Sequence, residues 1–469
     1  MNNSMTRRNT GSKIPLGVKM AYSGVEWSTS FWFTLYAVFF LIFMTDIVGI
    51  SPFIAGMILS VAVLWDAITD PIMGIISDRT RSRFGRRRPY LLAVAAPFGI
   101  ILWFSFSVPP LEGGLLVAYY IVMTILIHTA YTIANVPYTA LASEMTRDYD
   151  QRTSLATYIV LGGNIGALVA ATATPVLVEL FKDPKVGWST ISAVYGIICI
   201  FPILITWRGT RGWELYTEEP EPFSFRDIFK AITGNRVFRY ILGIYFFGIS
   251  AIYAVSSLWM YFLQYCLQMD ENQISIYFFL VFVFMVLLVP AINYVASRLG
   301  KRTAYMIYMG IFAFSLAFLP MILQPGKNIY IYLFAIPSAI GAVTIYQLCW
   351  AMIPDVVEVE EYKTGIRREG LYFGVCAFVM KLGSAVALLI VGMSLEWVGY
   401  MPNEIQTAGT ILGIRILTGP VTAALTLFSI VVCFFMPMTR EKHNSLCEAL
   451  DCKKEGKEFD TSCISDIIC

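Results

Sequence analysis

The chain has 469 residues, of which 57% are hydrophobic and only 14% charged, with a formal net charge of +2. Soluble domains carry about a quarter of their residues as Asp, Glu, Lys and Arg, so this balance excludes a water-soluble enzyme or nucleic-acid-binding protein and indicates a polytopic membrane protein. The two histidines, His128 and His443, and the scattered cysteines form no nucleophile–base set, metal triad or phosphate loop, so no catalytic residue and no cofactor are expected.

Residues 1–19 are polar, carry Arg7, Arg8, Lys13 and Lys19 and lack a small-residue cleavage site, which marks a cytoplasmic N-terminus. Apolar spans follow at about 20–44, 52–77, 90–109, 114–142, 154–181 and 188–207, each long enough to cross a bilayer as a helix. A polar central loop at 208–236, with Pro220 and Pro222, contains an amphipathic piece from Ser224 to Thr233 that suits the membrane surface. Six more spans run at about 237–267, 273–297, 304–323, 328–353, 371–397 and 408–437. The expected fold is therefore all-α, with twelve transmembrane helices in two six-helix bundles, 20–207 and 237–437. Residues 438–469 form a tail with Cys447, Cys452, Cys463 and Cys469, polar enough to be disordered.

Orientation comes from loop charge, because Lys and Arg accumulate on the cytoplasmic side. Arg79, Arg81, Arg83, Arg86, Arg87 and Arg88 follow the second span, Arg298, Lys301 and Arg302 the eighth, and Lys363, Arg367 and Arg368 the tenth. Both termini are accordingly expected in the cytoplasm. The halves also echo each other, as transporter repeats do: Ser77-Asp78-Arg79 with Gly85-Arg86-Arg87 matches Ser297-Arg298 with Gly300-Lys301-Arg302. Glu144 with Arg152 is matched by Asp355 with Arg367 and Arg368. With Arg79, these residues are the expected cytoplasmic gate, where acids at helix ends meet arginines of neighbouring loops.

The most informative stretch is Trp65-Asp66-Ala67-Ile68-Thr69-Asp70-Pro71. It places two carboxylates inside a membrane span, where each ionised one costs at least about 2.5–3.5 kcal/mol. Four residues apart, Asp66 and Asp70 share a helix face and repel each other unless a cation or proton sits between them. That is the outline of an ion site; a pair of acids salt-bridged to neighbouring helices is the plain structural alternative.

Trp65 through Gly74, together with Thr80-Arg81-Ser82-Arg83-Phe84-Gly85, resembles the glycoside-pentoside-hexuronide:cation symporter family of the major facilitator superfamily. Tyr131-Thr132-Ile133 with Pro137, Asp355 through Arg368, and Lys381-Leu382-Gly383-Ser384-Ala385 extend the likeness over about residues 15–437. The resemblance implies that Asp66 and Asp70 are cation carboxylates, Thr132 a neutral oxygen ligand and Lys381 a neighbouring charge, with Na+ or H+ as the coupling ion. Hard oxygen donors of this kind suit Na+, and either carboxylate can hold a proton instead.

Where relatives grip sugar hydroxyls with acids on helices 1 and 4, this chain has Ser30 and Asn135. Thr139 and Val160 replace a tryptophan and an arginine. The polar residues left for substrate are Glu26, Ser30, Tyr131, Asn135, Asn164, Gln347 and Trp350, with His128 near them. Glu26 is held either by substrate or by Lys19 or Lys381. The expectation is a secondary active symporter, working as a monomer in the plasma membrane, a bacterial inner membrane. Its partners are a monovalent cation and a small polar solute such as a glycoside, pentoside, uronide or oligosaccharide, and no nucleic acid. A lipid-like or organic-anion substrate is the near alternative, and a transporter-like sensor acting through the tail the distant one.

Overall fold

Pro52, whose φ is already helical, and Ser51, whose side chain accepts from the Ile54 N–H at 3.5 Å, start the helix that carries both Asp66 and Asp70. The same local rules recur along the chain: Asp148, Asp183, Asn235, Thr407 and Thr439 each cap a helix through the side chain. A computed structural model describes residues 13–146, 148–214, 225–326, 329–455, 459 and 462–468. Among these, no strand occurs.

The helices in chain order are α1 (Leu16–Tyr22), α2 (Gly24–Thr34), α3 (Pro52–Arg79), α4 (Arg88–Ser105), α5 (Gly113–Met145), α6 (Tyr149–Glu179), α7 (Pro184–Gly209) and α8 (Phe225–Gly234). They continue as α9 (Arg236–Tyr261), α10 (Glu271–Leu299), α11 (Lys301–Ile322), α12 (Ile329–Thr364), α13 (Glu369–Trp397), α14 (Ala408–Ile416), α15 (Thr422–Phe435), α16 (Arg440–Lys454) and α17 (Ser465–Ile468). Eleven helical runs among the described residues are long and apolar enough to cross a membrane. Ahead of them comes the segment expected as the first span. It is interrupted: α1 breaks at Ser23, and α2 continues through π-helical turns at Leu35–Phe40 and Phe43–Val48. With it the count of twelve is complete.

The chain divides into two compact units, 1–221 with 271–278, and 222–270 with 279–469. In the first, α4 packs along α7, α2 along α6, and α5 against both α3 and α4. Small residues set how close α2 and α6 come. A Cβ on Gly166 would lie 2.3 Å from the Trp27 carbonyl oxygen, and one on Gly163 2.9 Å from Ser30 Oγ. In the second unit, α9 packs on α13 and α15, and α11 on α12 and α15.

Two boundaries differ from the sequence expectation for physical reasons. Helix α12 runs on to Thr364, beyond the apolar span, because the acids of its last turns are held by basic partners. One of those partners is the tail. Where disorder is expected after 437, Thr439 caps α16, whose Leu446, Ala449 and Leu450 are buried and whose His443 and Lys454 pair with Glu358 and Glu361 of α12. The amphipathic piece of the central loop is α8, while its start at Ser224, with Pro220 and Pro222, lies outside the described residues.

Candidate functional site

Asp66 and Asp70 are four apart on α3, and His128 and Thr132 four apart on α5, so two helix faces present matched pairs to each other. Thr132 Oγ1 donates to Asp70 Oδ1 at 2.7 Å and lies 3.5 Å from Asp66 Oδ1. The other Asp66 oxygen, Oδ2, is 2.8 Å from His128 Nδ1. Asp66 and His128 are each 5% exposed and Thr132 1%, while Asp70 is half-buried. The two expected carboxylates and the expected hydroxyl are therefore together, in one unit, and His128 completes the group.

Local sequence builds this arrangement. Trp65 Nε1 donates to Thr129 Oγ1 at 2.9 Å, fixing the register of α3 against α5. Thr69 Oγ1 donates back to the Trp65 carbonyl and lies 3.5 Å from Thr132 Oγ1. Pro71 has no N–H to return to the Ala67 carbonyl, so the helix carries a freed backbone acceptor one residue past Asp66. The imidazole is seated edge-on between two aromatic rings, Trp32 at 5.0 Å and Tyr36 at 5.9 Å between centroids. Tyr36 sits in the first π-helical turn, and such turns gather at functional sites.

The expected substrate residues fall in both units. In the first, Ser30 Oγ donates to Glu26 Oε1 at 3.1 Å, and Asn135 Nδ2 donates to the Tyr131 hydroxyl at 2.9 Å. Tyr131 also packs on Trp32, 4.9 Å between ring centroids. Asn164 stands one residue from Gly163, the position that faces Glu26 and Ser30. Lys19, one candidate to neutralise Glu26, donates instead to Ser154 Oγ at 2.8 Å. In the second unit, Gln347 Nε2 donates to Asn293 Oδ1 at 2.5 Å, and Trp350 stacks on Phe373 at 5.5 Å. Lys381 lies on α13 of that unit, and the family resemblance remains the ground for its assignment.

The expected gate acids are engaged within their own units. Glu144, with its side chain 3% exposed, receives Arg87 Nε at 3.0 Å and lies 3.7 Å from Arg86. Asp78 pairs with Arg87 at 2.5 Å and Arg86 at 3.3 Å. Asp355 receives Lys301 Nζ at 2.6 Å and lies 3.5 Å from His443 Nε2. Arg367 bridges Glu361 and Glu369, and Arg152 Nε donates to the Thr146 carbonyl at 2.9 Å. Arg79 closes α3 and is exposed; Arg368 stands at the start of α13. Sequence reasoning missed Asp78, Arg86, Arg87 and Lys301 as ion-pair partners, although their echo between the halves was the signal. It also kept His128 out of the cation set, although His128 stands one turn before Thr132.

A family model described as MFS/sugar transport protein matches residues 26–440. Among curated proteins, the chain is 30% identical over 449 residues to "Uncharacterized symporter YnaJ" of Bacillus subtilis, covering 94% of this chain and 95% of that protein. It is also 30% identical over 422 residues to "Putative glycoside/cation symporter YagG" of Escherichia coli, covering 88% of each. Among solved structures, the nucleoside transporter NupG aligns with a TM-score of 0.64 over 89% of this chain and 98% of that one, at 12% identity, a likeness of fold alone.

Proposed function

The chain belongs to the MFS/sugar transport protein family, and we propose on that premise that it is a secondary active symporter of a glycoside-like solute, driven by Na+ or H+. It is a transporter and not an enzyme. The observation that carries the coupling is the hydrogen-bonded set of buried Asp66, His128 and Thr132 with half-buried Asp70. Two carboxylates one turn apart repel, and a cation that relieves the repulsion stabilises the packing of α3 on α5. Substrate binding and cation binding then support each other reciprocally, which is what symport by alternating access requires.

The solute is a small polar molecule rich in hydroxyls. Glu26 with Ser30, and Asn135 with Tyr131, are acceptor–donor pairs suited to hydroxyl groups, and Tyr131 offers a ring face. Asn164, Gln347 and Trp350 are the further proposed contacts. Glu144 and Asp355, with Arg79, Arg152, Arg367 and Arg368, are proposed to act at the cytoplasmic closure of a plasma-membrane protein that works as a monomer with both termini inside. Thermal stabilisation of the purified protein tests the reading, since a ligand that binds only the folded state raises its stability. A panel of glycosides, pentosides, uronides and oligosaccharides is expected to contain a member whose shift grows when the coupling cation is present. A panel in which only lipid-like or anionic compounds stabilise would overturn the sugar assignment.

A further inference from the structure

We infer that Glu358 of α12, with His443 and Cys447 of the tail helix α16, forms a zinc site that staples the tail to the helix carrying Asp355. Nothing in the spacing along the chain announces it. The carboxylate stands 85 residues before the imidazole, and only the docking of α16 on α12 brings them together. His443 and Cys447 are four apart, so they share one face of α16. That face meets Glu358, whose Oε2 lies 2.9 Å from His443 Nε2 and 3.6 Å from Cys447 Sγ, while the sulfur lies 3.9 Å from the same Nε2. All three side chains are part-buried, and Cys447 is a free thiol. The site is separate from the aspartates of α3, because all three residues belong to the second compact unit.

Distances and donor types both fit zinc. Zn2+ bonds nitrogen and oxygen at about 2.0–2.2 Å and thiolate sulfur at about 2.3 Å in a tetrahedron, which sets neighbouring ligand atoms about 3.3–3.6 Å apart. The three separations in the cluster lie within about 0.5 Å of that range, so closing on the metal needs only small side-chain rotations. An ion pair between His443 and Glu358 gives no reason for a thiol turned toward the same carboxylate oxygen, whereas a metal site does. One sulfur, one imidazole and one carboxylate match a borderline cation such as Zn2+, while Mg2+ and Ca2+ take oxygen ligands. Asp355 Oδ1 is 3.5 Å from Nε2 but is held by Lys301 Nζ at 2.6 Å, so the fourth position falls to water. A cavity lined by Lys301, Asp355, Thr439 and His443 adjoins the ring and gives solvent and metal a way in. Binding displaces the thiol proton, and the Nε2 proton of a charged imidazole, to solvent. With metal chelated, the ion pairs of His443 with Glu358 and of Lys454 with Glu361 remain at the contact. Zinc adds to them a tie between α16 and the helix that carries Gln347, Trp350 and Asp355.

The test uses the full-length protein purified without a histidine tag. Zn2+ is titrated in competition with a chromophoric chelator, and Co2+ replaces it as a spectroscopic probe, because a cobalt–thiolate bond gives a charge-transfer band in the near ultraviolet. One Zn2+ per chain is expected to bind at micromolar free metal, and the Co2+ form is expected to show the band. Cys447→Ser should remove the band. Cys447→Ser and His443→Gln should each weaken Zn2+ binding at least about tenfold, the least that losing even an outer partner of a bound metal costs. Cys452→Ser and Cys463→Ser should change neither readout. Hydrogen exchange on the unmodified protein decides the matter even if a variant fails to fold: Zn2+ should raise the amide protection of α16, and a chelator should reverse it. No binding at micromolar Zn2+, binding that survives Cys447→Ser, or binding that leaves α16 exchange unchanged would overturn the site. None of these readouts involves solute or the α3 aspartates, so the transport reading stands or falls separately.

Discussion

Deleting one charge at Asp70 removes the Thr132-held carboxylate and, with it, the repulsion that the coupling ion relieves. Asp70→Asn should therefore still insert and still bind solute, but lose accumulation against a gradient; solute uptake in membrane vesicles reads this, and full accumulation would contradict the role. Glu26→Gln keeps size and hydrogen-bonding capacity while deleting charge. Lys19 is engaged by Ser154 and Ser30 donates to the carboxylate, whose remaining acceptors are proposed to receive solute hydroxyls. Apparent solute affinity should fall at least about tenfold, roughly 1.4 kcal/mol, in a binding titration, with cation binding intact. Unchanged affinity with lowered thermal stability would make Glu26 a packing residue. At this scale the sequence was legible where a residue is costly in lipid: Asp66 and Asp70 stand out because ionised groups there need a return. His128 was not, since a lone histidine on an apolar helix reads equally as core, and only the 2.8 Å contact to Asp66 separates the two.

Helices hold their ends through ion pairs that no apolar pattern announces. Arg87 reaches Glu144, Asp78 and Ser77 at once, from a side chain 8% exposed, so it ties the loop after α3 to the end of α5. Arg87→Ala leaves the buried Glu144 only the longer 3.7 Å contact with Arg86 and should destabilise the fold by about 3 kcal/mol, seen as a lowered unfolding temperature; a change within about 0.5 kcal/mol would show the network to be dispensable. The tail helix depends on a titratable contact. Its His443 is raised above the ordinary histidine range first by the hydrogen bond to Glu358, with Asp355 adding to it against burial and Lys301. Burial pushes the neighbouring Cys447 thiol up to about 11, so it stays protonated and adds no charge there near neutral pH. A group whose pKa rises on docking contributes stability that is fully present below its free value, about 6.5, and is lost as pH climbs through the raised one. Amide protection of α16, corrected for intrinsic exchange, should thus fall above that point, and His443→Gln should abolish the pH dependence. Spans were legible from hydropathy, whereas α16 was not: this fifteen-residue, mostly polar helix is held by its few buried apolar residues, Leu446, Ala449 and Leu450, and by Glu358 and Glu361 of α12.

Twelve spans follow from apolar run length, a feature visible in a sequence, whereas the two compact units, the first of which also takes in 271–278, do not match the contiguous bundles that the polar break near 215 suggests. Orientation rests on arginine bias alone. Cysteine labelling from outside sealed cells should reach Asp270→Cys and spare Cys463, and external labelling of Cys463 would invert the topology and the gate with it. Solute identity stayed illegible, because Ser30 and Asn135 stand where the family resemblance implies sugar-gripping acids, and their hydroxyl and amide serve many polar molecules. Energised transport is the central claim, and reconstitution tests it most directly. Once a stabilising glycoside is found, its uptake is measured in proteoliposomes with an inward cation gradient, for the unmodified protein and for the double variant Asp66→Asn with Asp70→Asn. The account predicts accumulation above the outside concentration for the first and mere equilibration for the second; equal accumulation by both, or equilibration by both, would contradict it.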